Sequence, residues 1–340
     1  MTEYFPGQHL KRESPIIGSM KVSVVVPIWN SRKYLADCIR YLKAQTFQDF
    51  EVIFVVDSKT DDGSEEEIRS AEGLDIKIYT QNDDGRVSSA RNIGQAASSG
   101  EFVWFLDVDD TPSPLFLEEM LRLIGETGAD FVASNFIYQH HGKRLPRIRK
   151  EFHVREYSGI DAILAMNKGI ISPNVWDKLF RTSLIRDNGI LFEMGYSEDY
   201  HFVSEACVHS SKVAYTSRPL YLYNLNENSR SSSKGNDIAT KDVEIFEKYK
   251  SVVQEERPDY YPLFCRMSMR HLIRSMTMAD WKTCKSLIGR ESIRSSKAYC
   301  NLTNIEFLVF RTSPRIYYVI GRNVRFHRYK SKSFISNPHL

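Results

Sequence analysis

Apolar runs and mixed polar segments alternate regularly between residues 21 and 128 of this chain. Short runs rich in β-branched and aromatic residues predict four strands, at residues 22–26, 50–56, 75–80 and 101–106. Helices are predicted after each strand: Leu35, Ile39 and Leu42 form an apolar stripe at helical spacing, and Ser64 is a candidate N-cap for a short acidic helix. Crossovers of this length predict parallel strands in an α/β sheet that helices cover on both faces.

The remaining segments differ in character and indicate where the chain divides. Residues 1–20 are polar and contain two prolines, so we expect an arm outside the core. Strands are predicted at residues 131–138, 213–215 and 221–223, and helices at residues 159–167 and 200–209. A serine-rich stretch at residues 230–235 predicts a linker, beyond which the pattern is helical and increasingly basic. These changes define four predicted regions: residues 1–20, 21–128, 129–230 and 231–340.

Composition narrows the class of protein. The 340 residues include 46 basic and 43 acidic side chains, a net charge of +3, with 42% hydrophobic and 12% aromatic residues. That balance is typical of a folded globular chain, and no apolar run reaches the roughly 18 residues of a transmembrane helix. The five cysteines lie far apart without a CxxC pair, and the first residues lack the pattern of a secretory signal. We therefore expect a reducing, cytoplasmic setting.

Three carboxylates at a predicted strand end, Asp107, Asp109 and Asp110, form the strongest chemical signal. In a sheet of parallel strands, ligands bind beyond the carboxyl ends of the strands, which is where these residues fall. Carboxylates so close in sequence repel one another unless a cation lies among them. Oxygen ligands suit Mg²⁺ or Mn²⁺, and these ions in turn suit phosphate oxygens. The alternative interpretation is a solvated acidic turn.

A longer stretch around these carboxylates carries a resemblance to a known family. Residues 82–110, NDDGRVSSARNIGQAASSGEFVWFLDVDD, resemble the family 2 glycosyltransferases, as do residues 24–30, VVVPIWN, where Trp29 replaces the usual Tyr. The resemblance implies the GT-A fold, a Rossmann-like α/β fold with a mostly parallel central sheet, here followed by a helical C-terminal region. It implies that residues 21–128 bind a nucleotide sugar and that residues 129–230 bind the acceptor.

The resemblance also implies roles for individual residues at the nucleotide. The residues concerned are Pro27, Ile28, Asn30, Asp57, Arg91 and Asp107. Backbone near Pro27 is expected beside the nucleobase, and Asp57 is expected to accept a hydrogen bond from uracil. Arg91 is expected beside the base or the diphosphate, and Asp107 at the ribose or, with Asp109, at a Mn²⁺ or Mg²⁺ ion on the phosphates. The family pattern Asp-Asp-Gly-Ser is replaced here by residues 56–59, VDSK, which puts the shape of that loop in question.

A second acidic pair, Glu198 and Asp199, resembles the Glu-Asp motif that opens a helix in the same family. By resemblance, Asp199 is the general base on the acceptor hydroxyl in an inverting single displacement, and Glu198 orients the loop or contacts the acceptor. The alternative is capping of a helix N-terminus by two acids. Trp176 and Lys178 lie in a segment that often precedes this motif, and with Asp110 they are candidates for the sugar pocket; packing is an equal alternative for Trp176 and Lys178.

The preferred function is transfer of a sugar from a nucleotide diphosphate donor, a UDP-sugar, to a glycan or glycolipid acceptor in the synthesis of cell-surface polysaccharide or glycolipid. One alternative is a phosphatase of the haloacid-dehalogenase type, because residues 107–111 read DVDDT and Asp107 would be its nucleophile. Another is a non-catalytic module that binds a sugar nucleotide or glycan, which the departure at residues 56–59 invites.

The basic end of the chain raises a separate question. Residues 301–340 contain seven Lys or Arg against one acidic residue, interleaved with aromatic and aliphatic side chains. Such a mixture is typical of peripheral contact with an anionic membrane, here the inner face, but also of a packed helix with a cationic outer face. Nucleic-acid binding is disfavoured because the whole chain carries only +3.

Overall fold

The computed structural model describes residues 22–82, 87–140, 143–146, 154–193, 198–225, 235–277, 279–296 and 305–321. The chain divides into two compact units, the first being Met1–Met194 with Glu198–Glu227 and the second Gly195–Ser197 with Asn228–Leu340. The predicted arm at residues 1–20 and the serine-rich residues 230–234 lie outside the described residues. Among the described helices, none combines the length and the apolar composition that crossing a bilayer requires.

The first unit is a mixed sheet flanked by helices. Its described strands are β1 (Val22–Ile28), β2 (Phe50–Asp57), β3 (Asp75–Gln81), β4 (Phe102–Phe105), β5 (Thr111–Pro112), β6 (Phe131–His140), β7 (Lys143–Pro146), β8 (Val154–Tyr157), β9 (Lys178–Arg181) and β10 (Val213–Asn224). Its described helices are α1 (Arg32–Lys43), α2 (Ser64–Arg69), α3 (Val87–Ala97), α4 (Phe116–Thr127), α5 (Gly159–Asn167), α6 (Thr182–Asp187) and α7 (Glu198–Val208). The predicted α/β class is confirmed.

The strand order along the sheet is β3-β2-β1-β4-β9-β6-β10-β5, with β7 paired to β6 and β8 to β10. The four strands β3, β2, β1 and β4 are parallel, as the alternating pattern predicts. Strand β9 then lies antiparallel between β4 and β6, which makes the sheet mixed. Because β1, β2 and β4 run the same way, their carboxyl ends meet at one edge of the sheet.

Helices cover the first half of this sheet on both faces, so β1, β2 and β4 read as mostly apolar runs, whereas the edge strand β3 is partly exposed. All residues of β2 are buried. Along β1, Val24 and Val26 join the core cluster that contains the apolar stripe of α1, while Val25 faces α3 at Gly94. The alternation of side chains along a strand thus places α1 and α3 on opposite faces.

Two local predictions are corrected by the structure. Ser64 is the first residue of α2 rather than its N-cap, because Gly63, with φ +80°, makes the turn into the helix and the Asp62 carboxylate accepts from the Ser64 N–H. The strands predicted at residues 213–215 and 221–223 are one strand, β10, whose pairing with β6 is irregular between Thr216 and Tyr221. Pro219 lies inside that irregularity, and since proline has no N–H to donate, the sequence pattern there resembles a break.

The second unit is helical throughout its described part, as predicted. Its helices are α8 (Gly235–Glu256), α9 (Tyr261–Met276), α10 (Trp281–Gly289), α11 (Glu291–Ser296) and α12 (Ile305–Thr312), followed by a helical stretch at residues 314–321. Phe246 of α8 stacks on Phe264 of α9 with ring centroids 5.8 Å apart. Asp280 caps α10, accepting a hydrogen bond of 2.8 Å from the Thr283 N–H.

Candidate active site

The turn after β1 and the loop after β2 lie side by side at the carboxyl edge of the sheet. Pro27 and Ile28 pair with Val55 and Val56 in the parallel ladder, so the two strands end together. Asn30 adopts a φ of +45°, a conformation that asparagine tolerates better than most residues. Its side-chain oxygen accepts from the Asp61 N–H at 3.1 Å, which ties the two loops to each other.

Asp57, the last residue of β2, presents a buried carboxylate oxygen at this edge. The residue is 3% exposed, and its Oδ1 accepts a 2.8 Å hydrogen bond from the Lys59 N–H. Its Oδ2 is buried without a hydrogen-bond partner among the described residues. Leaving such an acceptor unpaired costs on the order of 1–3 kcal/mol, so the site favours a ligand that brings a donor. The unusual residues Ser58 and Lys59 therefore close a tight turn that still presents Asp57.

Asp107, Asp109 and Asp110 lie on one turn immediately after β4. The Asp110 N–H donates to the Asp107 carbonyl at 3.2 Å, which closes the turn. Asn224, at the end of β10, holds it from the other side: its N–H donates to Asp110 Oδ1 at 2.9 Å and its Nδ2 donates to the Asp109 carbonyl at 2.8 Å. The sequence does not single out Asn224, because its role depends on pairing between distant strands.

The chemistry of this turn fits a divalent cation. Burial, followed by the charges of Asp107 and Asp109, raises the pKa of Asp110 well above its ordinary value. The buried Tyr221 hydroxyl and the Asn224 N–H act to lower that pKa without reversing its rise, so a bound cation would relieve the remaining crowding of negative charge. Within the described residues, no three His, Cys, Asp or Glu side chains are arranged to hold a metal by themselves. A bound cation would therefore complete its coordination with phosphate or water oxygens.

Arg91 of α3 joins this turn to the second acidic pair. Its Nη2 donates to Asp107 Oδ1 at 2.8 Å and its Nη1 donates to Asp199 Oδ1 at 2.5 Å, while Glu198 Oε1 lies 3.9 Å from Nη1. The guanidinium also lies over the Phe192 ring, 5.2 Å from its centroid, and is 4% exposed. Burial alone lowers the pKa of Arg91, but the three carboxylates outweigh it and raise the pKa overall. The structure thus brings together residues that the sequence keeps far apart.

Close packing of α3 on the sheet sets the position of Arg91. A Cβ at Gly94, one turn after Arg91, would lie 2.2 Å from Val25 Cγ1, so only glycine lets the helix approach β1 this closely. On the same helix, Asn92 exchanges two 2.8 Å hydrogen bonds with the backbone of Phe192. Gln95 donates to the Ile190 carbonyl at 2.9 Å. One face of α3 therefore fixes both the arginine and the segment that leads towards α7.

Glu198 and Asp199 occupy the first turn of α7 with raised proton affinities. Burial, followed by the Asp199 charge, raises the pKa of Glu198 to about 7. Burial also raises the pKa of Asp199, although Arg91 and the Val175 N–H, which donates to Asp199 Oδ2 at 3.3 Å, act to lower it. A carboxylate in such a setting is suited to take a proton near neutral pH. The preceding residues 195–197 lie outside the described residues.

Trp176 and Lys178 lie in the interior, which favours the packing alternative for both. Trp176 stacks between Tyr221 and Tyr223, with centroid distances of 4.5 and 5.0 Å. Lys178 Nζ donates to Asp177 Oδ1 at 2.7 Å and to the carbonyls of Ser172 and Asn174, and the side chains of this ion pair are both fully buried. These contacts fix residues 172–175, the turn whose Val175 N–H faces Asp199.

Residues 23–186 match the family model described as Glycosyl transferase family 2. EpsH of Bacillus subtilis is 26% identical over 289 residues, 82% of this chain and 83% of EpsH. Poly(ribitol-phosphate) beta-N-acetylglucosaminyltransferase TarS of Staphylococcus aureus is 28% identical over 209 residues, 60% of this chain and 35% of TarS. The crystal structure of TarS 1-349 with UDP-GlcNAc has a TM-score of 0.67 at 20% identity, covering 91% of this chain and 92% of that chain.

A mannosyltransferase from Pyrobaculum calidifontis, solved in complex with GDP-Man and Mn²⁺, has a TM-score of 0.53 at 13% identity, covering 95% of this chain and 92% of that chain. At these low identities the two solved structures show only that this chain shares their fold, which confirms the predicted GT-A architecture.

Proposed function

We propose that this chain, whose residues 23–186 match the family 2 glycosyltransferase model and whose fold is that of TarS, transfers a sugar from a uridine diphosphate sugar to an acceptor hydroxyl with the assistance of a divalent cation. The observation that carries the proposal is the buried Arg91, which bonds Asp107 of the acidic turn and Asp199 of α7 at once. It supports a single centre in which donor phosphates and acceptor hydroxyl meet.

Asp57 supports uridine as the nucleoside. Uracil carries an imide N–H, and the buried Oδ2 of Asp57 is an acceptor without a partner among the described residues. Cytosine offers a lone pair at the same ring position and would face the carboxylate with like polarity. A hydrogen bond to a charged group is worth about 1.5–3 kcal/mol, so we expect UDP to bind about 10- to 100-fold more tightly than CDP. The UDP-GlcNAc complex of TarS agrees with this choice.

Asp109 and Asp107 are the residues that would hold Mn²⁺ or Mg²⁺. Such an ion stabilises the negative charge that builds on a departing diphosphate. The supporting observation is the crowding of carboxylates around Asp110, whose pKa is raised by burial and by both neighbours. We place Asp110 in a supporting role, because Asn224 and the protein interior enclose it.

Asp199 is the proposed general base. Its carboxylate is held by Arg91 and by the Val175 N–H, which fix its direction while its side chain stays 20% exposed to the site. Each carboxylate oxygen keeps a further lone pair with which to accept the proton of an acceptor hydroxyl. A single displacement assisted by this base inverts the anomeric configuration. The acceptor class we propose is a hydroxyl of a glycan or glycolipid, in keeping with the polymer named for TarS.

The two alternatives are less well supported. The phosphatase interpretation needs Asp107 as a nucleophile on the first strand of its fold, but Asp107 follows β4 and accepts a hydrogen bond from Arg91. The binding-module interpretation relied on residues 56–59, and Asp57 is presented for binding there in spite of the altered sequence.

The test measures binding and turnover separately. Calorimetry with UDP, CDP and GDP, each with Mn²⁺ and with excess chelator, should show metal-dependent binding that prefers UDP. Consumption of UDP-sugars should then be lost in Asp199→Asn while UDP binding persists. Asp187→Asn, which neutralises an exposed aspartate at the end of α6, is the matched control and should behave as wild type. Equal UDP binding in chelator, or unchanged turnover in Asp199→Asn, would refute the proposal.

A further inference from the structure

The end of the second unit presents an exposed apolar surface with arginines on it. Leu308 of α12 is 42% exposed, and Ile316, Val319 and Ile320 of the stretch at residues 314–321 are 55%, 49% and 50% exposed. The last three are spaced i, i+3 and i+4, so they share one face of a helix. Arg311 and Arg315 are exposed beside them. We call these six residues the terminal patch.

The opposite side of the same helices is already packed against the second unit. The Tyr318 hydroxyl donates to the Ala279 carbonyl at 3.0 Å, and its ring lies 5.3 Å from the Trp281 ring. Phe310 and Tyr317 are buried and contact each other edge to face at 5.7 Å. The aromatic side chains therefore fix which side of the helices faces the rest of the second unit. As a result, the aliphatic side chains of the terminal patch face solvent.

Charge identifies the kind of partner. Residues 301–340 carry seven Lys or Arg and one Glu, whereas the whole chain has a net charge of only +3, so the rest of the chain is net negative. A second copy meeting the patch symmetrically would bring arginine against arginine, which is unfavourable. A nucleic acid would leave the four exposed aliphatic side chains of the patch without an apolar partner. An anionic lipid surface matches both features, with phosphates for the arginines and acyl chains for the aliphatic residues.

We propose that the terminal patch docks this protein on an anionic lipid bilayer. Ile316, Val319 and Ile320 enter the boundary between headgroups and acyl chains, and Arg311 and Arg315 lie at the lipid phosphates. This inference concerns where the protein is held and does not depend on the transferase chemistry proposed above.

The experiment is sedimentation of the full chain with vesicles of phosphatidylcholine alone and of equimolar phosphatidylcholine and phosphatidylglycerol. We expect binding to the anionic vesicles that weakens as salt is raised, and little binding to the neutral ones. Arg311→Gln with Arg315→Gln should weaken binding by about 30-fold, because each basic side chain near an anionic lipid surface strengthens binding by about fivefold. Ile316→Ser with Val319→Ser should weaken it by about tenfold or more, because the buried apolar area is lost.

The matched control, Lys43→Gln with Arg294→Gln, removes the same charge from exposed positions on α1 and α11 and should bind as wild type. All these substitutions are at exposed positions, and circular dichroism should confirm that each variant is folded. Equal binding to both vesicle types, or equal losses in the control and the Arg311/Arg315 variant, would overturn the proposal. So would a concentration-dependent dimer that the Ile316/Val319 variant abolishes, since a second copy would then be the occupant.

Discussion

Replacing Gly94 by alanine tests how the structure positions Arg91. In most helix interiors, Gly→Ala stabilises a protein by about 0.5–1 kcal/mol, because the unfolded chain loses conformational freedom. At Gly94 the new methyl group would lie 2.2 Å from Val25 Cγ1 and 3.1 Å from its Cγ2. Val25 is fully buried in strand β1, so its side chain can move only by displacing the core residues packed around it. The helix must shift outward instead.

The expected magnitude follows from two opposing effects. Overpacking a core by one carbon costs about 1–3 kcal/mol, and the helix propensity of alanine returns about 1 kcal/mol. The net effect on the free energy of unfolding is thus a loss of up to about 2 kcal/mol, which is about 1–3 kcal/mol worse than Gly→Ala at an uncrowded helix position. Arg91 lies on the same helix one turn earlier, so its contacts with Asp107 and Asp199 must move with it. Displacements of about 1 Å at a catalytic site cost up to about 100-fold in rate, and we expect kcat/KM to fall by about 10- to 100-fold.

Urea unfolding measures the first effect and a steady-state transferase assay the second. The matched control is Gly125→Ala in α4, where no described atom lies within 4 Å of the added Cβ. It should stabilise the protein by about 0.5–1 kcal/mol and leave kcat/KM unchanged. In a Val25→Ala background, Gly94→Ala should become less costly by about 1 kcal/mol or more, because the clash has been removed.

Either of two results would show that the contact with Val25 does not position α3. One is a Gly94→Ala variant as stable as Gly125→Ala, since the close approach of α3 to β1 would then carry no energy. The other is a cost of Gly94→Ala that is the same with valine or alanine at residue 25, because the contact with Val25 would then not be its cause.

Three further substitutions have expected outcomes of their own. Because burial raises the pKa of Glu198 from 4.5 to about 7, the folded state holds more protons than the unfolded one between these values. This contribution to stability is therefore lost as pH rises through that window. In urea unfolding, the free energy of unfolding should fall less between these pH values for Glu198→Gln than for wild type. Lys178→Met leaves the buried Asp177 carboxylate with the Ser172 hydroxyl but without its counter-charge, and should lower the free energy of unfolding by about 3–5 kcal/mol in urea. Combining it with Asp177→Leu should recover much of that loss. Asn224→Ala removes the hydrogen bond that its side chain donates to the Asp109 carbonyl, so calorimetry should show Mn²⁺-dependent UDP binding weakened about tenfold and metal-free binding unchanged.

Local periodicity was sufficient to predict most elements of the first half of the chain. Strands β1 to β4 and the helix at residues 159–167 appear where the apolar pattern placed them, because each is short, buried and bounded by turn residues. The antiparallel insertion of β9 between β4 and β6 was not predictable in this way. Its pairing is decided by contacts between segments far apart in sequence, which no local pattern records.

In the candidate site as well, features set by local sequence were predictable and those set by contacts between distant segments were not. The acidic turn and the Glu198–Asp199 pair follow from their sequence context, and the structure brings them to one place through Arg91. The sequence placed Arg91 beside the base or the diphosphate, and it gave no sign that one guanidinium spans both acidic segments. Asn224 and the buried Asp177–Lys178 pair were likewise hidden, because their roles come from burial and from strand pairing.

The span of Arg91 has a consequence for how the molecule is made. Its partner Asp199 lies 108 residues further along the chain, so a ribosome working at about 5–20 residues per second delays that carboxylate by about 5–20 s. During this interval the Arg91 guanidinium, which is buried in the folded protein, has only the nearer of its two hydrogen-bonded carboxylates, that of Asp107. The candidate site is therefore among the last parts of the first unit to be completed during translation.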